Sequence, residues 1–246
     1  MLLTALLAGG LLVLINGPWL RVHQIAWAGE RFTGELALQR ATSELKGHAL
    51  LTLNVAALTS KLERLPAVAS ARVEAVLPGA VRIHIVEKTP VFVWQTPFVR
   101  LLGVADGTLI GQVAVDAPLP ADLAGLPLVV DERTASRDLI VGDRIDGPTL
   151  AAALQLSKVP PAALGSASSH LDLRITDDDG FLLVSNRPAW QADFGFYTTN
   201  DAGAAGTLDE QVAAQVAAVR TLFSLQPEKG VRWVDARNPG RVYWRP

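Results

Sequence analysis

No charged residue precedes Arg21. This constrains the chain more than any other feature, because twenty uncharged residues in a helix span about 30 Å, the thickness of a bilayer's hydrocarbon core. Leu2, Leu3, Leu6, Leu7, Leu11, Leu12, Val13, Leu14 and Ile15 supply the apolar mass. Trp19 stands near the end of the run, where an interfacial aromatic is favoured. Asn16, Gly17 and Pro18 weaken the last turn. A cleaved signal peptide would show a basic start and a small-x-small cleavage site, and neither precedes Arg21. A buried helix of a soluble domain is the plainer alternative. The reading adopted is an uncleaved transmembrane anchor over residues 1–20, with the rest of the chain outside the cytoplasm.

The bulk numbers bound what the remainder can be. Of 246 residues, 50% are hydrophobic and only 19% charged, with a mean hydropathy of +0.27, unusual for a wholly soluble chain. The length admits one large domain or two small ones with real cores. A net charge of −2 leaves no basic excess for nucleic acid. There is no cysteine, which excludes disulfides, thiolate nucleophiles and Cys-based zinc sites.

Residues 21–90 read as strand, helix, helix, strand, strand. A short strand over 22–28 contains Ile25 and Trp27 and ends at Gly29. Leu38, Ala41 and Leu45 share one face of a helix over 35–46, closed by Gly47. Asn54 is placed to cap a second helix carrying Val55, Leu58, Leu62 and Leu65, which Pro66 stops. The period then changes to two. Ala69, Ala71, Val73 and Ala75 alternate with polar residues, and Val81, Ile83 and Ile85 do the same after Pro78-Gly79. That dipeptide fits the central positions of a type II turn, with positive φ at Gly79. A hairpin with one buried face results.

This order, β-α-α-β-β, resembles a polypeptide-transport-associated (POTRA) domain. The wording resembles the form found in the FtsQ/DivIB family of bacterial division proteins. The shared elements are Gly29 after the first strand, Leu65 to Val68 before the second, the Leu77-Pro78-Gly79 hairpin, and Val86-Glu87-Lys88-Thr89-Pro90 at the exit. The resemblance covers residues 1–110 well and the rest loosely. It implies an α+β protein: a transmembrane anchor over 1–20, a POTRA domain over 21–90, and a mostly β domain over 91–246 with a C-terminal helix and hairpin.

In that second module, strands are expected over 91–94 and 98–104, with Asp106-Gly107 as a tight turn before Thr108, Leu109 and Ile110. Pro118, Pro120 and Pro127 mark a loop-rich stretch around the short apolar run Leu128-Val129-Val130. A weak helix signal covers 148–158. Strands at 171–176 and 181–185 flank Asp177-Asp178-Asp179-Gly180, and another is expected over 190–196. Thr207 and Glu210 form a capping box for a helix over 207–223 with Val212, Val216, Val219 and Phe223 on one face. Two strands around Asn238-Pro239-Gly240 close the chain, and Val234-Asp235-Ala236-Arg237 resembles the family's closing segment. The polar loop 198–206 matches no family pattern.

No catalytic constellation emerges. The three aspartates 177–179 lack the alternating ligands and the twelfth-position glutamate of a calcium loop. His23, His48, His84 and His170 are scattered away from metal spacing. Phosphate loops, nucleophile elbows and zinc-protease motifs are missing. The expectation is therefore no enzyme, no cofactor, no metal, no small-molecule substrate and no nucleic-acid partner.

Protein binding is the remaining task. A terminal strand offers unpaired backbone groups to a partner chain. The candidate partner-binding residues are Trp233, Val242, Tyr243, Trp244 and Arg245, with the two adjacent aromatics as anchors; the alternative is that they pack on the helix over 207–223. The resemblance implies a single-pass protein of the cytoplasmic (inner) membrane at the division septum, its C-terminus outside. It implies that the β domain binds FtsB/DivIC-like and FtsL-like proteins to recruit and regulate septal peptidoglycan synthesis. A component of outer-membrane assembly or secretion is the alternative POTRA carrier, which would carry further POTRA copies or a barrel.

Overall fold

The computed structural model describes residues 18–197, 207–238 and 240–246. The anchor expected over 1–20 lies outside them except for Pro18–Leu20, which forms a single 3-10 turn. The loop 198–206 lies outside them too. Among the described residues no helix is long and apolar enough to cross a membrane. The contacts divide the chain into two compact units, Met1–Thr89 and Pro90–Pro246.

The first unit contains β1 (Gln24–Ala28), α1 (Glu35–Thr42), α2 (Val55–Glu63), β2 (Val68–Val76) and β3 (Ala80–Glu87). Its three-stranded sheet has the order β1-β3-β2, with β1 parallel and β2 antiparallel to the central β3. Val81, Ile83 and Ile85 on β3 are buried with Leu38 of α1 and Leu58 and Leu62 of α2. Asn54 caps α2 by accepting a hydrogen bond from Ala57 N at 2.9 Å. Helix α1 stops at Thr42, four residues short of expectation, and Ser43–Leu45 continues as a 3-10 turn. The Thr42 hydroxyl bonds the Leu38 carbonyl at 2.8 Å, a local competition with the helix ladder that suits this early end. Ala69 is exposed rather than inward, because a register shift between Val68 and Ser70 leaves it outside the alternation.

Two motif residues have structural jobs. Gly79 does not adopt positive φ, so the expected type II turn does not form. The Leu77–Pro78 peptide is cis, and residues 77–79 bridge Val76 and Ala80. Glycine is needed at 79 for closeness: a Cβ there would sit 2.3 Å from His23 Nδ1 and 2.4 Å from the Arg21 carbonyl. Gly79 O in turn accepts the His23 amide at 3.0 Å. Glu87, at the end of β3, folds its carboxylate over the loop before α1. Its Oε atoms accept the backbone N–H groups of Arg31 at 2.9 Å, Phe32 at 2.9 Å and Thr33 at 2.7 Å. Partial burial acts to raise its pKa, but these hydrogen bonds prevail and hold it below the ordinary carboxylate value.

The second unit contains β4 (Phe92–Gln95), β5 (Val99–Gly103), β6 (Leu109–Ala114), β7 (Leu128–Asp131), α3 (Gly147–Leu156), β8 (Asp172–Thr176), β9 (Gly180–Asn186), β10 (Ala189–Gly195), α4 (Leu208–Leu225), β11 (Trp233–Asp235) and β12 (Tyr243–Arg245). All its strands join one nine-stranded sheet of order β12-β11-β10-β9-β8-β7-β4-β5-β6. The run 128–130, read as part of a loop, is the core of a central strand parallel to both β4 and β8. Short apolar runs without alternation are what such doubly flanked strands show. Helices α3 and α4 are crossovers between parallel neighbours, β7 to β8 and β10 to β11. Asp146 caps α3, accepting Thr149 N at 2.9 Å. The helices bury Ala152, Leu156, Val212 and Val219 in one cluster with Phe92, Trp94, Ile175 and Phe194 of the sheet.

Two substitutions test this account of the first unit. Gly79→Val lowers its stability by about 1–3 kcal/mol, now through overlap with His23 and the Arg21 carbonyl; unchanged denaturant unfolding would contradict the packing. Glu87→Gln removes a charge that serves several backbone donors and costs about 1–3 kcal/mol at pH 7. Because the folded pKa of Glu87 is lowered, its contribution is present above the unfolded value of 4.5 and is lost as pH falls through the folded value. The difference between Gln variant and parent, read by unfolding at pH 7 and pH 3, narrows at the lower pH.

Candidate functional site

Strand β12 is the last strand on one side of the nine-stranded sheet, and among the described residues nothing pairs with its outer edge. It is held by β11 in antiparallel register, Trp233 opposite Arg245, Val234 opposite Trp244 and Asp235 opposite Tyr243. Helix α4 fixes where β11 begins. Its capping box forms as expected, Glu210 N donating to Thr207 Oγ1 and Thr207 N to Glu210 Oε2. Buried Gln215 ties α4 to β10 by donating to the Phe194 carbonyl at 2.9 Å and accepting the Tyr197 hydroxyl at 2.6 Å. Burial pushes the Tyr197 pKa up.

The register sorts the candidate residues onto two faces. Val234 is fully buried in the core cluster that includes α4, so its partner Trp244 lies on the α4 side. Trp244 and Val242 border a shallow groove with Ala214, Ala217, Thr221 and Leu225 of α4, and Trp244 remains 39% exposed. Val242 packs on the core but precedes the strand, which is one residue shorter than expected. Tyr243 points to the opposite face and is 54% exposed. Arg245 shares that face and lays its guanidinium over the Trp233 ring, 4.6 Å from its centroid. Trp233 is also tied inward: its indole N–H donates to Asp193 Oδ2 at 2.7 Å. It is a platform for Arg245 rather than a free anchor.

Sequence reasoning missed Asp193. It sits on β10, fully buried, on the face away from α4, where it receives Trp233 and, at 3.4 Å, Gln191. Burial is the main reason its pKa is pushed up to about 6, and the charges of Asp179 and Asp235 act the same way. Beside it, Asp235 accepts Nε, Nη2 and the backbone N–H of Arg237, and the Arg237 side chain holds its pKa down. The same device occurs at the end of β7. There Asp131 accepts Nε, Nη2 and the backbone N–H of Arg133, with Trp94 and Ser136 as further donors. A repeated tetrapeptide was the available signal: Val130-Asp131-Glu132-Arg133 and Val234-Asp235-Ala236-Arg237 share the pattern.

Residues 20–88 match the family model described as "POTRA domain, FtsQ-type". The chain is 32% identical over 190 residues to the "Cell division protein FtsQ" of Mycobacteroides abscessus, an alignment covering 74% of this chain and 56% of that protein. Residues 20–88 are an FtsQ-type POTRA domain, and the chain as a whole is similar to FtsQ. It thus spans a little over half the length of the curated FtsQ it matches. The motif residues Gly29, Leu77 to Gly79 and Glu87 all fall within the FtsQ-type POTRA match. Their roles are conformational. Gly29 has φ +95 and would place a Cβ 2.1 Å from the Ile85 carbonyl, Gly79 admits His23, and Glu87 gathers the 31–33 amides. Among the described residues no group of His, Asp or Glu is placed to hold a metal ion.

The buried carboxylate beneath the edge has a measurable signature. Unfolded, Asp193 titrates near its ordinary 3.8; folded, near 6. Between these values the folded state holds the extra proton, so stability falls as pH rises from about 4 to 6, and the full cost stands above 6. Asp193→Asn keeps an acceptor for Trp233 and removes that cost. It should stabilise the chain by about 1–3 kcal/mol at pH 8, and the gain should shrink at pH 5. A variant equally stable to the parent at pH 8 would contradict a charged, desolvated Asp193.

Proposed function

We propose that this FtsQ-like chain is a non-catalytic scaffold of the bacterial division machinery, held in the cytoplasmic membrane at the septum by residues 1–20 with its bulk outside. On this reading the second unit binds small coiled-coil division proteins, FtsB/DivIC-like and FtsL-like, and so helps recruit and regulate septal peptidoglycan synthesis. The observation that carries it is the open outer edge of β12 with Tyr243, Trp244 and Arg245 exposed along it. A strand from the partner adds to this edge. Backbone pairing supplies much of the affinity, and the side chains on either face select the partner. Tyr243 and Arg245 meet it on one face, Val242 and Trp244 on the other.

Single substitutions separate binding from folding. Tyr243→Ala removes an aromatic that half-projects into solvent and should weaken binding of an FtsB-like partner about thirtyfold, or about 2 kcal/mol, with unfolding unchanged. Trp244→Ala also strips cover from the α4 groove and should lower stability as well. Titration calorimetry with denaturant melts reads both quantities. Full-strength binding by both folded variants would move the partner surface elsewhere. For the anchor, the expected outcome is a chain that resists carbonate extraction from membranes and retains its original N-terminus; mature protein starting near residue 20 would overturn it.

A further inference from the structure

One end of the first unit gathers three of the five large exposed apolar side chains among its described residues, Trp19, Leu51 and Leu77, the other two being Leu36 and Val86. Three segments meet where β1 begins. The turn Pro18–Leu20 leads into Arg21, which bridges to Ala49. Residues 46–52 are fastened to it by Val22 N to His48 O at 2.8 Å, Gly47 N to Val22 O at 2.9 Å and Arg21 Nη1 to Gly47 O at 3.2 Å. The hairpin tip 77–79 abuts the same place through His23 N to Gly79 O at 3.0 Å. Each segment carries one large exposed hydrophobic residue: Trp19 is 53% exposed, Leu51 54% and Leu77 65%.

The charges are sorted in the same direction. Arg21 and Lys46 are exposed at this end, and no Asp or Glu occurs in 18–29 or 45–62. Glu30, Glu35, Glu63 and Glu87 belong to the far end, where β1 and β3 finish and α1 starts. The nearer carboxylates are engaged, Glu44 with Lys61 at 3.7 Å and Glu74 with Arg72 at 2.9 Å. Three separated apolar side chains among cations suit a bilayer interface, where aromatic and aliphatic groups enter the headgroup layer and cations meet anionic lipid. The uncharged run of residues 1–17 leads directly into this end.

We propose that the end of the first unit formed by Trp19, Leu51 and Leu77, with Arg21 and Lys46, is a docking surface for an anionic lipid bilayer. It seats the unit on the membrane with the β1 start downward and Glu87 away from it. This rests on the reading of residues 1–20 as an uncleaved anchor. An anchor alone would leave the unit free to swivel, whereas this surface orients it.

The chain has no cysteine, so single labels are clean. Leu51→Cys, Leu77→Cys and, as a far-end control, Leu36→Cys are each labelled with a fluorophore in the full chain. Leu36 is 67% exposed at the start of α1. The labelled chains are reconstituted in phosphatidylglycerol-containing vesicles with shallow nitroxide lipid. The proposal expects strong quenching at 51 and 77 and little at 36. Arg21→Glu or Lys46→Glu, or replacement of the anionic lipid by phosphatidylcholine, should lower the docking equilibrium constant, by about fivefold for each cation–lipid attraction lost. Equal quenching at all three positions in a chain that stays inserted overturns the docking surface and leaves the anchor standing. A chain that washes off the vesicles overturns both. Labels at 51 and 77 that are shielded only when a protein partner is added overturn the lipid assignment.

Discussion

A peptide N–H or C=O withdrawn from water must find a partner, and the nine-stranded sheet of the second unit is organised by that requirement. Interior strands satisfy it on both sides. The two outermost strands cannot. At β6 the first residue of the exposed edge is paired by the chain itself: Leu109 N donates to Asp143 O at 2.8 Å, and Gly142 N to Leu109 O at 2.8 Å. At β12 no such segment is present among the described residues. An open edge offers its unpaired N–H and C=O groups to another chain. The proposed partner strand rests on that open edge.

The open edge is supported by costly features. Asp193 is buried on β10 and answered by a tryptophan and a glutamine rather than a direct cation. Burying a carboxylate in this way sacrifices stability. In return Trp233 is held flat on β11, and Arg245 stacks on it at the end of β12. The Asp235–Arg237 pair locks the chain as it leaves β11 toward the last strand. Its counterpart at Asp131 and Arg133 lies at the end of β7, between β4 and β8 in the interior of the sheet.

The first unit divides its labour between two ends. At one, Glu87 collects three loop amides and stiffens the entry to α1. At the other, the Gly79 carbonyl and the 46–49 segment clasp the entering chain around Arg21 and His23. Hydrogen bonds thus fasten both ends of this short β-α-α-β-β unit.

What the sequence by itself determined were the features set by neighbours along the chain. The uncharged opening run, the alternation of Val81, Ile83 and Ile85, the Asn54 cap and the Thr207–Glu210 capping box are all local patterns. Each appears in the structure where it falls among the described residues. Tertiary structure alone decided which strand stands at an edge, because sheet order depends on pairing between distant segments. It turned the 128–130 run into a central strand, since parallel neighbours on both sides reward an apolar stretch that has no alternation of its own. It replaced the positive φ expected at Gly79 with a steric requirement imposed by His23, a residue 56 positions earlier. It also buried Asp193, whose raised pKa comes from desolvation, a property of the assembled surroundings that no window of sequence contains.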